Sequence, residues 1–117
     1  MIIESDKVVF YDVDDTLITW NSSEELEDDV ITLTDAMGDI TEHKVLRKNV
    51  ISLIEHSKRG HKIVVWSAGG YAWASQAVKL LGLEKYVDLV VSKPTWWYDD
   101  LTAEEVLLPS NRRFNRE

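Results

Sequence analysis

The amino-acid sequence predicts an α/β fold: an open parallel sheet between two helical layers, a three-layer arrangement. Three apolar segments lack polar alternation, as strands covered on both faces do: residues 8–11, 63–66 and 87–91. Apolar residues recur at helical spacing in two segments between them, 48–59 and 71–81, and a glycine follows each. Strands that alternate with helices form right-handed parallel crossovers, so we expect one parallel sheet.

One insertion interrupts this alternation. An acidic run, residues 24–29, is typical of a solvated surface. Residues 30–34 then alternate between apolar and polar side chains, residues 35–38 form a turn cluster, and residues 40–44 suit a return strand. We predict a β-hairpin flap at about 20–45, which leaves no room for a large cap domain.

Length and composition limit the class of protein. The 117 residues suit a single domain, 1–117, with a C-terminal tail at about 109–117. Hydrophobic residues make up 44% and charged residues 29%, which argues against intrinsic disorder. The absence of cysteine excludes disulfides and thiolate metal sites. The three histidines lack the spacing of a zinc hydrolase site.

Charge and apolar run length indicate the partners to expect. The net charge is −8, from 13 basic and 21 acidic residues, which disfavours nucleic acid as a partner but leaves it open. No apolar run approaches the ~20 residues that span a bilayer, and the N-terminus lacks a basic leader region. We therefore expect a cytoplasmic protein without a membrane partner.

Polar side chains follow each apolar segment. In open α/β sheets, ligands bind outside the carboxyl ends of the strands. The residues at these positions are Asp12 and Asp14 after the first segment, Ser67 and Ala68 after the second, Lys93 after the third, and Asp99 and Asp100 after a short fourth run, 96–98.

These residue types suit phosphoryl chemistry. In extended backbone Asp12 and Asp14 project to one side, where they repel unless a cation joins them or one holds a proton. Mg²⁺ prefers such oxygen ligands, and Asp99 and Asp100 would complete the set. The amides of residues 68–70, at a helix N-terminus, suit an anion, as do Ser67 and Lys93.

Four segments resemble motifs of the haloacid dehalogenase-like (HAD) phosphohydrolases. Residues 8–17, VVFYDVDDTL, resemble the first motif, residues 63–67 the second, Lys93 the third and residues 98–100 the fourth. The resemblance implies strand order 3-2-1-4, a nucleophilic Asp12, an acid/base Asp14 and Mg²⁺. Without a large cap, the chain is similar to short capless members, some of them encoded by bacterial viruses, and its motif spacing resembles that of the deoxyribonucleotidase-like members.

Two features depart from the family pattern. The fourth residue of the first motif is often glycine and here is Asp15, which other members also carry. Only Pro94 and Thr95 separate Lys93 from the fourth run, whereas a parallel crossover normally needs ten or more residues. Either the third strand is short and the chain passes under the sheet, or residues 96–98 do not form a regular strand.

The sequence therefore predicts a Mg²⁺-dependent phosphomonoester hydrolase acting on a small phosphorylated metabolite such as a nucleotide. The predicted catalytic residues are Asp12, Asp14, Ser67 and Lys93; the phosphate-binding residues are Ser67, Ala68 and Lys93; and the metal ligands are Asp12, Asp14, Asp99 and Asp100. Trp20 and His43 are weaker candidates for substrate contact, and Trp73 is assigned to packing.

Three alternatives stay open. The enzyme could act on a nucleic-acid end, or the chain could be a catalytically idle HAD-like binding module. A phospho-accepting receiver is disfavoured, because no Asp directly follows the second predicted strand. The substrate and the oligomeric state are not determined by the sequence.

Overall fold

Two sheets and two long helices form the core of residues 7–20 and 29–112, which the computed structural model describes. The elements in chain order are β1 (Val8–Asp12), β2 (Val30–Thr34), β3 (Ile40–Lys44), α1 (Arg47–Lys58), β4 (Lys62–Ser67), α2 (Tyr71–Leu80), β5 (Leu89–Ser92), α3 (Ala103–Val106) and a 3₁₀ turn (Pro109–Asn111). No helix within these ranges is long and apolar enough to cross a membrane.

The predicted parallel sheet is confirmed. Strand β4 lies in the centre and pairs in parallel with β1 on one side and β5 on the other. Asp12 is opposite Trp66, and Ser67 is opposite Ser92. The register therefore brings the carboxyl ends of all three strands to one edge of the sheet, which positions the candidate site.

The expected fourth strand is not present in the described part of the chain. β5 has only four residues, and residues 96–98 belong to no strand. The predicted strands 1, 2 and 3 correspond to β1, β4 and β5, and they lie in the expected order 3-2-1. The prediction of a fourth strand beside β1 is wrong for this structure. The physical reason is the link: Pro94 and Thr95 are too few to carry the chain across β4 to the far side of β1.

The expected helical layer on each face is also corrected. Tyr11 points to the face of the sheet that α1 covers, because its hydroxyl lies 2.8 Å from the Ser52 hydroxyl of that helix. Val65, its neighbour on β4, belongs to the same buried cluster as Ala77 and Val78 of α2. Two right-handed crossovers that step in the same direction place both helices on one face, so the described fold has two layers.

The hairpin is confirmed as β2 and β3, which pair in antiparallel fashion. Asp35 forms its turn, because the carboxylate accepts hydrogen bonds from the Met37 and Asp39 amides, both at 2.9 Å. Gln76 of α2 fastens the hairpin to the main domain by bonding both the amide and the carbonyl of Thr34. The rest of the predicted flap, including most of the acidic run, lies outside the described residues.

The C-terminal part of the chain forms only short elements. Thr102 caps α3, since its hydroxyl accepts from the Glu105 amide at 3.2 Å, as a capping box would. Neither α3 nor the following 3₁₀ turn contains a buried residue. Residues 113–117 of the predicted tail lie outside the described ranges.

The two-layer core predicts an unequal cost for two leucine truncations in the helices. Leu53 of α1 is 0% exposed and Leu80 of α2 is 48% exposed. We expect Leu53→Ala to lower the free energy of unfolding by about 2–5 kcal/mol, because it leaves a cavity. The matched control Leu80→Ala should cost less than about 1 kcal/mol. Urea unfolding measures both, and equal costs would contradict the packing described here.

A pair of histidines closes the connection between α1 and β4. His56 and His61 approach with their Nδ1 atoms 2.8 Å apart, so at least one of these nitrogens accepts and is unprotonated. Burial lowers the pKa of His56, and the nearby charges of His61 and Arg59 lower it further. The folded state therefore favours a neutral His56.

This pair predicts a pH-dependent loss of stability. A histidine whose pKa is lower in the folded state binds fewer protons there than in the unfolded chain. Above about pH 6.5, the pKa of histidine in the unfolded chain, His56 does not reduce the free energy of unfolding. As the pH falls from there towards the lower pKa of the folded state, the unfolded chain takes up the proton first and stability is lost. We expect the free energy of unfolding, measured by urea titration, to decline across this window less steeply in His56→Gln. Equal slopes in both proteins would remove His56 as the cause.

Candidate active site at the carboxyl edge of the sheet

A tight turn after β1 presents the two predicted carboxylates. The carbonyl of Val13, a fully buried residue, accepts hydrogen bonds from the amides of Thr16, Leu17 and Ile18. This turn reverses the chain directly after the strand, so Asp12 and Asp14 stay at the edge of the sheet. Asp12 remains partly exposed, with 32% of its side chain accessible.

The backbone conformation of Asp15 accounts for the glycine that the first HAD motif often has at this position. Its φ is +61°, in the left-handed region that most side chains avoid. Aspartate tolerates this conformation better than most residues because its short side chain bonds nearby backbone. Here the Asp15 carboxylate accepts from the Trp20 amide at 2.9 Å. Asp15 thus serves the geometry of the loop, and the departure from glycine is compatible with the turn.

Lys93 reaches the carboxylate pair. It follows β5 directly, and its amide donates to the Ser67 carbonyl at 2.9 Å, which continues the sheet pairing by one residue. The ammonium group crosses above Trp66, 6.0 Å from the ring centroid, and lies 3.3 Å from a carboxylate oxygen of Asp12. Lys93 and Asp12 therefore meet across the width of β4.

Ser67 is present at the same edge but faces inward. It is fully buried, and its hydroxyl accepts from the Gly69 amide at 3.0 Å. Its carbonyl also accepts from the Gly70 amide. Gly70 has a φ of +102°, which favours glycine, and Ala68 is exposed in the loop. In this conformation Ser67 shapes the loop before α2, whose N-cap is Gly70.

Asp14 is partly buried and has a partner that the sequence analysis missed. The indole Nε1–H of Trp73 donates to the Asp14 carboxylate at 2.9 Å. Burial raises the pKa of Asp14, the Trp73 hydrogen bond opposes that rise, and the charge of Asp12 adds to it. Burial therefore favours the protonated form of Asp14. The sequence held one signal for this contact: Trp73 carries a side-chain N–H in the first turn of α2, which begins at the carboxyl edge of the sheet.

His43 supports this arrangement from the hairpin. Its Nδ1 lies 2.7 Å from the Thr19 carbonyl, which can only accept, so Nδ1 carries the proton. Its Nε2 lies 2.7 Å from the Thr41 hydroxyl oxygen. The ring edge packs on Trp73, with centroids 5.4 Å apart. His43 is 2% exposed, so in this structure it holds the hairpin against the site and does not face a substrate.

Asp99 and Asp100 do not join the pair. Asp99 accepts from the Leu101 amide at 2.9 Å, and this hydrogen bond lowers its pKa. Among residues 7–20 and 29–112, no group of three or more histidine and carboxylate side chains is arranged to hold a metal ion. The cause is again the short link after Lys93, because residues 96–98 do not run beside β1.

The donor set at the edge fits Mg²⁺ in part. The Asp12 carboxylate is partly exposed, and Asp14 would add its backbone carbonyl; Mg²⁺ is commonly held by one or two carboxylates with waters and substrate phosphate. An all-protein cage would need Asp99 and Asp100 as well. Trp20, the weaker substrate candidate, is exposed next to this edge, while residues 21–28 lie outside the described ranges.

Comparison with known proteins finds no matching family model, no matching curated protein and no matching solved structure. The similarity to HAD phosphohydrolases is therefore carried by the motif residues alone, and membership of that family is a proposal.

The Trp73 hydrogen bond predicts a measurable change at Asp14. Trp73→Phe keeps an aromatic ring against His43 but removes the indole N–H. That N–H stabilises the charged form of the Asp14 carboxylate in the unmodified protein. We expect the pKa of Asp14 to rise further above its ordinary value in this variant, as followed by ¹³C carboxyl shifts in metal-free buffer. Trp97→Phe, at an exposed position, is the matched control. An unchanged titration in Trp73→Phe would show that the hydrogen bond does not govern Asp14.

Proposed function

We propose that this protein is a Mg²⁺-dependent phosphomonoester hydrolase of the HAD-like type, acting on a small phosphorylated metabolite such as a nucleotide. One observation carries the proposal: two carboxylates and a lysine meet at the carboxyl edge of a parallel sheet. The Lys93 ammonium is 3.3 Å from Asp12, and Asp14 is two residues further along the same turn. This edge is where ligands bind in open α/β sheets.

Asp12 is the nucleophile in this proposal. Its side chain is 32% exposed and lies beside the Lys93 ammonium, and an oxygen of it forms a bond to phosphorus as the bond to the leaving oxygen breaks. Water then attacks the resulting acyl phosphate and releases inorganic phosphate and the free Asp12 carboxylate. The neighbouring Lys93 ammonium draws the phosphate towards Asp12 and offsets the repulsion between the two anions.

Asp14 is the acid and then the base. Burial favours its neutral form, so it has a proton to donate to the leaving oxygen in the first step. The carboxylate produced takes a proton from the attacking water in the second step. Trp73 acts through Asp14 as a positioning residue, because its indole N–H fixes one of the two carboxyl oxygens.

The loop before α2 supplies the remaining phosphate contacts. Ser67 holds the loop through its bond to Gly69, and the exposed Ala68 is the residue whose amide we assign to the phosphate. The loop precedes the N-terminus of a ten-residue helix, an electrostatic environment that favours anions. Ser67 would contact phosphate only after its hydroxyl turns away from Gly69.

Asp12, through its carboxylate, and Asp14, through its backbone carbonyl, are the residues that would hold Mg²⁺; Asp99 and Asp100 would join them only if residues 94–100 moved to the edge of the sheet. When bound, Mg²⁺ neutralises charge that accumulates between carboxylate and phosphate oxygens. Because Asp99 and Asp100 do not group with Asp12 and Asp14 in a metal site, a second function is also favoured: a HAD-like module that binds a ligand without turnover. The acidic surface supports a small substrate over a nucleic-acid end.

The proposal predicts different outcomes for two isosteric substitutions. With Mg²⁺ and an aryl phosphate, Asp12→Asn should lower turnover by at least about 10³-fold, because the nucleophile is lost. Asp14→Asn should still react with a good leaving group but hydrolyse the acyl phosphate slowly. The phosphoryl group then stays on the protein, where intact mass detects it. Asp39→Asn, an exposed carboxylate in the hairpin turn, is the matched control and should retain full activity.

Chelation and thermal melting separate the two candidates. A hydrolase of this type loses turnover when the metal is removed and regains it when Mg²⁺ is restored. Millimolar Mg²⁺ should also raise the melting temperature, since it binds the folded state. No turnover, together with a melting temperature insensitive to Mg²⁺, would support the idle module. Turnover retained in Asp12→Asn would show that Asp12 is not the nucleophile.

A further inference from the structure

The face of the parallel sheet opposite the helices is apolar and open. The register places Phe10, Val64 and Leu89 side by side on it, with Trp66 stacked on Phe10 at a centroid distance of 4.6 Å. Phe10 is 49% and Leu89 54% exposed, whereas Val64 between them is 7% exposed. Contiguous exposed apolar surface of this kind marks an interaction site more often than a free surface.

The same chain carries a second apolar surface with nothing packed on it. We call residues 94–112 the C-terminal arm; none of them is buried. Trp96 is 80% exposed and Tyr98 95% exposed. The other large apolar side chains on the arm that are exposed are Trp97, Leu101, Val106, Leu107 and Leu108. An apolar segment of this length is costly to leave in water.

The two surfaces have opposite charges at their borders. Lys62 lies at the amino end of the open face, in register with Val8, and Lys93 lies at its carboxyl end beside Trp66, where it is also 3.3 Å from Asp12. The arm instead carries four carboxylates, Asp99, Asp100, Glu104 and Glu105. An arm laid along the face therefore brings carboxylates towards lysines, which favours this pairing over a face-to-face contact of two copies.

The geometry of the link favours an arm from another copy. β5 runs towards the carboxyl edge, and Lys93 continues its pairing with β4. To cover its own face, the arm would have to reverse direction within Pro94 and Thr95, and proline restricts both its own φ and the residue before it. An arm that continues outward meets the face of a second molecule without this reversal.

The area available suits a stable dimer. Three largely exposed aromatic side chains and four aliphatic ones, laid on the apolar face, would remove on the order of 1,000 Å² per copy from water. Reciprocal exchange of two arms doubles this to about 2,000 Å², which lies within the range of stable homodimers. Such an exchange has two-fold symmetry and closes on itself, so it does not propagate into fibres.

We propose that the open face of the sheet is a dimerisation surface that binds the C-terminal arm of a second copy of this chain, the two arms being exchanged reciprocally. The proposal does not rest on the hydrolase function, although Lys93, Asp99 and Asp100 take part in both proposals.

Sedimentation velocity on the full chain, at about 1 to 100 µM, tests the proposal. The unmodified protein should form a dimer. Leu89→Glu on the face and the double variant Trp96→Ser/Tyr98→Ser on the arm should each weaken dimerisation by at least tenfold. All three positions are exposed, so the fold should survive, and circular dichroism checks this. Met37→Ser, which removes an exposed apolar side chain from the hairpin turn, is the control and should dimerise normally.

Mixing the two weakened variants gives the decisive result. One partner then keeps an intact arm and the other an intact face, so a heterodimer should re-form through one of the two exchanges. A chain that is monomeric throughout the concentration range would overturn the proposal, and protection of the arm amides from hydrogen exchange in that monomer would show that the arm covers its own face. A dimer unaffected by either variant would place the interface elsewhere and would also overturn it.

Discussion

The parallel pairing of β4 with both β1 and β5 is the constraint on which the rest of this molecule depends. Parallel neighbours end at the same edge, so Asp12, Ser67 and Lys93 come together although they are far apart in the chain. The same pairing requires two crossovers, and because both step in one direction, α1 and α2 lie on one face. The candidate site and the open apolar face are therefore two consequences of one topology.

A second constraint couples the hairpin to the site. His43, buried between the Thr19 carbonyl and the Thr41 hydroxyl, presses its edge on Trp73, whose indole N–H holds Asp14. This series of contacts joins β3, the loop after β1 and the first turn of α2. Its polar atoms are paired although the site is partly open, and paired buried polar groups hold a single geometry. The two carboxylates thus differ: Asp14 is held on one side by protein, and Asp12 faces solvent and Lys93.

The segment after Lys93 determines how complete the site is. Two residues link β5 to residues 96–98, and within that length the chain cannot cross β4 and β1 to form a further parallel strand. Asp99 and Asp100 consequently lie away from Asp12, and the aromatic residues before them are exposed. Recruitment of Asp99 and Asp100 to a metal site would require this segment to move, whereas the proposed dimerisation would use its apolar residues where they are. The two proposals concern the same arm and are tested by different readouts.

The local pattern of the sequence was sufficient for the elements and for one edge of the site. Apolar runs and helical spacing predicted the three parallel strands, both helices and the hairpin, because these depend on side chains close in the chain. The carboxyl-end rule then brought Asp12, Asp14, Ser67 and Lys93 to one edge, since parallel pairing leaves no other arrangement of the strand ends.

Only the tertiary structure decided what depends on direction and distance. Periodicity does not reveal on which face a crossover lies, so the predicted third layer was wrong. Trp73 bonds Asp14, 59 positions away in the chain, and His43 bonds the Thr19 carbonyl, 24 positions away. No local sequence pattern encodes contacts between residues so far apart. The position of Asp99 was open for the same reason: the motif predicts the residue type, but the length and path of the chain after Lys93 determine where its carboxylate lies.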